Sequence, residues 1–294
     1  MTDRLVFIHG RAQEHKDAAA LKAEWLDALN VGLAANGLTL PIAETAVAFP
    51  YYGQTLYDLA SSAATVAEVV VRGNAGADKA EQQFQQALLT EMQSAAGITD
   101  EEVEAALDFE IKQRGPLNWE WVQGILKVLD ERVPGAGAAS IALATRDVYQ
   151  YLKNPGIRDK IEQGVRMAML PGVPTVVVSH SLGTVVAFNL LRREGRQQGW
   201  QVPLLVTVGS PLGARAIRSA LSPIEYPDCV GHWFNAMDER DVVALYPLDA
   251  EHFDVTPAIE NKTDVRNRTS NRHGIAGYLD DPVVARTIHD ALAA

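Results

Sequence analysis

The chain has 294 residues, 47% of them hydrophobic, which is enough to bury one large α/β domain or two small ones. A formal net charge of −11 argues against nucleic acid and anionic bilayers as partners, because their phosphates repel an acidic protein. No apolar run reaches the ~18 residues of a membrane span and no signal sequence precedes the first strand-like segment, so a cytoplasmic protein is expected.

In chain order, Leu5 to Ile8 reads as the first strand. Leu21, Trp25, Leu29 and Leu33 then recur four apart on one helical face, and Asn36 and Gly37 supply a left-handed stop. Thr45 to Phe49 reads as the second strand. From Gln54 to Leu170 the pattern changes to helices only, too long for an ordinary connection. Within it, Asp100 to Arg114 places Val103, Leu107 and Ile111 on one face behind a capping box of Thr99 and Glu102, and Gly156 to Met169 does the same with Ile157, Ile161 and Val165. The run "GAGAAS" from Gly135 approaches a dinucleotide fingerprint. Its sixth position is Ser140 and a helical pattern precedes it, so close helix packing or a hinge explains it better and no cofactor is expected. Three further strands follow, Thr175 to Ser179, Leu204 to Val208 and Val230 to Asn235, with "HFDVT" from His252 as a weaker sixth. Strands alternating with helices describe a mostly parallel sheet flanked by helices. Cys229 is the single cysteine and reads as a small buried hydrophobe. No disulfide and no metal site are expected.

The segment "TVVVSHSLGTVVAFNLL" is a strand, a turn centred on Ser181 and a helix. A serine hydroxyl is a weak nucleophile. It needs a sharp turn above the sheet, a nearby base and backbone N–H groups aimed at the developing oxyanion, and small residues two before and two after allow that turn. Gly183 fits the Gly-x-Ser-x-Gly form, while Ser179 stands in place of its first glycine. The remaining parts occur in the order serine, acid, histidine. Upstream, "FIHGR" leaves the first strand so that the N–H of Arg11 and that of Leu182 can form the oxyanion hole. Downstream, "AMDERDVVALYPL" offers Asp241 as the acid, with Asp238 as the alternative whose bland role is turn chemistry. His273, in "NRHGIAGYL", is the base. His9 and His180 belong to the strand ends, His15, His232 and His252 precede the place where the base is required, and His289 lies inside the terminal helix.

Through "FIHG", "SHSLG", "VGSPLG", "DERDVV" and "HGIAGYL" the chain resembles the α/β-hydrolase superfamily, specifically lipase- and esterase-like serine hydrolases. The resemblance covers 1–53 and 170–294. It implies cleavage of a small-molecule or lipid ester through an acyl-enzyme on Ser181, with thioesterase, acyltransferase or silent binding scaffold as the alternatives. The helical insert, 54–169, occupies the place of a lid, with hinges expected near Gly53 and Pro171 and with Trp119, Trp121 and Val122 near an acyl-binding wall. Lys262, Arg266, Arg268 and Arg272 against Asp264 form a basic loop ending on His273. A solvated loop is the simpler reading of it, and an anionic substrate the sharper one.

Overall fold

A computed structural model of the protein describes residues 2, 4–10, 17–53, 79–107, 119–132 and 138–294; the side chains of 119–120 and 138–140 lie outside that description. Strand β1 (Arg4–Ile8) leads to helix α1 (Ala18–Ala34), which Asp17 caps by accepting from the Ala20 amide at 2.8 Å. Leu21, Trp25, Leu29 and Leu33 are all buried on its inner face. Gly37 takes φ 70° and lets the Leu38 amide return to the Leu33 carbonyl at 3.0 Å, which ends the helix.

Strand β2 is only Val47–Ala48, shorter than its sequence suggests, because Glu44–Ala46 forms a 3₁₀ turn and Phe49 leaves the ladder to pack edge-on to Trp25. Then come α2 (Lys79–Ala95), α3 (Asp100–Ala105), α4 (Trp119–Arg132), α5 (Ala138–Lys153) and α6 (Pro155–Ala168). The Thr99 and Glu102 capping box is present, whereas Ile111, Arg114 and Gly135 lie outside the described residues. Helix α4 ends at Arg132, and 133–137, which include the start of the "GAGAAS" run, lie outside the described residues.

The chain continues through β3 (Thr175–His180), α7 (Leu182–Glu194), β4 (Val202–Val208), α8 (Arg215–Leu221), β5 (Val230–Ala236), β6 (Glu260–Lys262), α9 (Ala276–Leu279) and α10 (Pro282–Ala293). The sixth strand is thus not "HFDVT". That stretch is a turn in which the Phe253 amide reaches the Asp249 carbonyl, and its apolar signal comes from Phe253 docking edge-on to Phe188. The strand that does pair, "ENK", is a short polar edge without hydrophobic alternation.

The six strands lie in the order β2-β1-β3-β4-β5-β6, every neighbouring pair parallel. Side chains alternate across the sheet as the pleat requires. Leu5, Phe7, Val176 and Val178 join α1, α9 and α10 on one face, while Val6, Ile8 and Val177 join α7 and the helical segment on the other.

Two polar contacts tie the helical segment to the sheet layer. Glu162 of α6 is fully buried and accepts from Tyr151 at 2.6 Å, from Arg166 at 2.7 Å and from Arg193 of α7 at 2.6 Å, while Asn189 of α7 donates to the Tyr151 hydroxyl at 3.0 Å. Glu91 of α2 accepts from the first amides of α8, those of Arg215 and Ala216, at 2.8 and 3.2 Å, where a carboxylate complements the positive end of a helix. Among the described residues, no helix is long and apolar enough to cross a membrane.

Candidate active site at the strand ends

Ser181 sits where β3 turns into α7, with φ 56° and ψ −128°, a conformation that costs a non-glycine residue free energy. The surrounding bonds hold it there. Its amide donates to the Val208 carbonyl at 3.2 Å, and its own carbonyl accepts from the Thr184 amide at 2.9 Å and the Thr184 hydroxyl at 2.7 Å. Gly183 is needed for close approach, because a Cβ there would lie 2.3 Å from the Ile8 carbonyl oxygen. Ser179 spends its added hydroxyl on the Val206 carbonyl at 3.0 Å, so it fits where a glycine is usual. Gly10, just past β1, faces Ser181 closely enough that a Cβ would meet the serine Cβ at 2.8 Å. The hydroxyl therefore stands over the crevice between β1 and β3, where the strand order reverses and α/β sheets open to ligands.

The loops after β5 and β6 bring two more sequence-predicted residues to this point. His273 Nε2 lies 2.9 Å from Ser181 Oγ, and Nδ1 lies 2.7 Å from Asp241 Oδ2. With a carboxylate facing Nδ1, the ring carries its proton there, and Nε2 is left as an acceptor for the serine O–H. Asp241 is buried. Its Oδ1 accepts from the Val243 amide at 2.9 Å, and its Oδ2 also accepts from the Tyr278 hydroxyl at 2.6 Å. Burial and then the Asp241 charge push the Tyr278 pKa well up, so the phenol stays a donor.

Asp238 points elsewhere. It accepts from the Arg240 amide and guanidinium at 2.9 to 3.0 Å and from the Asn267 amide at 2.8 Å, closing the turn before Asp241. Burial works against its charge, yet these hydrogen bonds hold its carboxyl below the ordinary value.

No family model, curated protein or solved structure matches this chain. The chemical reading of the site thus rests on its geometry.

Two further residues shape that geometry and were assigned no such part from sequence. His180 is buried with its Nε2 2.7 Å from the His273 carbonyl and its ring centroid 4.7 Å from that of His273. Burial, then repulsion from His273, lowers its pKa well below 6.5, so it is neutral and donates Nε2–H. His9 is buried against Tyr52, with ring centroids 3.9 Å apart, and burial brings its pKa down to about 4 against the opposing pull of the Gly10 carbonyl. Its Nδ1–H donates to that carbonyl at 2.6 Å, its Nε2 accepts from the Tyr52 amide at 3.1 Å, and the Tyr52 hydroxyl donates to the His9 carbonyl. These bonds fix the backbone that faces Ser181. Tyr278 had a weak sequence signal, its place five residues after His273; His180 had none beyond membership of the turn.

Leu182 is the first residue of α7, and the amides of a first helical turn lack intrahelical acceptors, so they are available to an incoming oxyanion. Arg11 lies outside the described residues. Trp121 is buried and lines a cavity of about 930 Å³ with Arg215 and Tyr246, Val122 is buried in the core of the same layer, and the side chain of Trp119 is not described. Among the described residues, no group of three or more His, Cys, Asp or Glu is placed to hold a metal ion.

Proposed function

We propose that the chain is a serine ester hydrolase of the α/β-hydrolase type, acting through an acyl-enzyme on Ser181. The observation that carries this reading is the continuous line of hydrogen bonds from Asp241 through His273 to a serine on a strained strand-to-helix turn. His273 Nε2 takes the Ser181 proton as Oγ attacks the ester carbonyl. The Asp241 carboxylate stabilises the imidazolium that forms, and the Leu182 amide, with that of Arg11 as its proposed partner, receives the oxyanion. Collapse returns the proton to the departing alkoxide, and a water repeats the sequence to release the acid. We assign the lid role to the portion around α3 and α4, since α2 is joined to α8 through Glu91 and α5 and α6 to α7 through Glu162.

A fluorophosphonate probe tests the reading directly. It should form an adduct on Ser181, and Ser181→Ala should abolish the adduct and lower ester hydrolysis ~10⁴-fold or more while leaving the fold intact. Thioesters and acyl acceptors assayed in parallel separate the hydrolase from a thioesterase or acyltransferase on the same residues. An unlabelled Ser181 would favour a binding scaffold.

A further inference from the structure

A cavity of about 450 Å³ opens beside Asp241, and three guanidinium-bearing residues reach it from separate elements: Arg132 at the end of α4, Arg240 in the acid loop and Arg272 in the turn that carries His273. Two of the three have a carboxylate. Arg132 pairs with Glu102, and Arg240 is held by Asp238 at 2.9 Å. Arg272 has no hydrogen bond or ion pair from its side chain to any described residue. Its backbone is unusual as well, with φ 55°, a left-handed conformation that glycine adopts freely and arginine does not. The turn is pinned, since the Arg272 amide donates to the Thr269 carbonyl at 3.0 Å and the His273 amide to Asn271 Oδ1 at 3.1 Å. A strained, half-buried arginine next to the proposed base is thereby aimed from a fixed turn into the cavity.

The acidic groups of the same wall do not cancel it. Asp241 is occupied by His273, Tyr278 and the Val243 amide, and Glu239 is exposed. Leu245 supplies an apolar stretch between the polar groups. We propose that this cavity receives an anionic group of the substrate, a carboxylate or phosphate, with Arg272 as its charge partner and Arg132 and Arg240 as fixed walls of like sign. A planar guanidinium without a partner binds such a group through two parallel hydrogen bonds. The inference rests on the esterase reading and names its substrate class.

The test compares kcat/KM for two matched nitrophenyl esters, a neutral butyrate and a glutarate hemiester with a free carboxylate at its far end. The wild type should prefer the hemiester about 10-fold, and Arg272→Gln should erase that ratio. Arg272→Gly should erase it too, while raising Tm by about 2 °C because glycine relieves the left-handed strain, so misfolding would not account for the loss. A ratio that survives both substitutions overturns the proposal. Glutarate binding to Ser181→Ala protein, measured by calorimetry, separates this inference from the esterase reading. If no ester is cleaved, glutarate binding that Arg272→Gln removes keeps the anion site and discards the esterase, whereas no binding discards both. A glycerol-phosphate ester of the same acyl length then tells a phosphate headgroup from a carboxylate.

Discussion

The strand ends and the helical segment both bury polar side chains, but one set forms an open line and the other a closed ring. At the strand ends the hydrogen bonds run from Tyr278 and the Val243 amide into Asp241, on to His273, and stop at the Ser181 hydroxyl, which faces the crevice. Around Glu162 both carboxylate oxygens are taken by Tyr151, Arg166 and Arg193, and Asn189 completes the set. An open line can pass a proton to an incoming group. A closed ring has only stability to give, so substitutions in the two regions should differ in kind as well as in size.

The largest effect expected is on turnover. Asp241→Asn removes the carboxylate that selects the His273 tautomer and should lower kcat ~10⁴-fold with the fold preserved. Asp238→Asn, three residues away, loosens the turn held by Arg240 and Asn267 and should register mainly as a lower Tm. If steady-state kinetics showed the reverse order, the line would have to be redrawn through Asp238.

Next in size is the ring. Glu162→Ala leaves the buried Tyr151 phenol without its acceptor and takes one carboxylate from Arg166 and Arg193, which keep Glu194, and an unsatisfied buried polar group typically costs about 2 kcal/mol. Urea unfolding should show that loss, and the protein that remains folded should keep its rate on a small ester. A rate loss as large as that of Asp241→Asn would mean that the two regions are not separate.

The same contrast explains what could be read from the sequence. The line was legible because each of its members needs a fixed residue type in a fixed order, so Ser181 and His273 stood out before any distance was known, and the acid was confined to Asp241 with Asp238 as its alternative. The inner face of α1 and the Thr99 capping box were legible because their spacing is local. The ring was not, because Glu162 lies 31 residues from Arg193 and nothing local marks a surface-type charge as buried. Strand β6 was missed for a related reason. Its three polar residues pair at an edge, while the apolar "HFDVT" nearby spends Phe253 on a loop contact with Phe188 and Trp233.

A third expectation concerns pH and the strand ends alone. His9 titrates near 6.5 when unfolded and at about 4 when folded, so between those values the unfolded chain binds a proton that the folded chain does not. Its contribution is present in full above about pH 6.5 and is lost as pH falls toward 4; the drop corresponds to about 3 kcal/mol. His180 acts in the same direction. Unfolding free energies measured from pH 7 to pH 4 should fall, and His9→Gln, which cannot titrate, should flatten the slope. An unchanged slope would mean that other groups carry the acid sensitivity.

The smallest effect distinguishes holding the base from doing its chemistry. His180 touches no reacting atom; it donates Nε2–H to the His273 carbonyl and packs against that ring and against Trp25, whose ring centroid lies 6.2 Å away. Because His180 stays neutral, removing it withdraws a donor and a surface without removing a charge. His180→Leu keeps much of the packing and drops the donor, so the His273 turn should relax by a fraction of an ångström, and misplacement on that scale lowers kcat roughly 10-fold while KM changes little. His180→Gln offers an amide N–H toward the same carbonyl and should recover most of that loss. Were the part played only by packing, leucine would outperform glutamine, and Tm rather than kcat would follow the substitution.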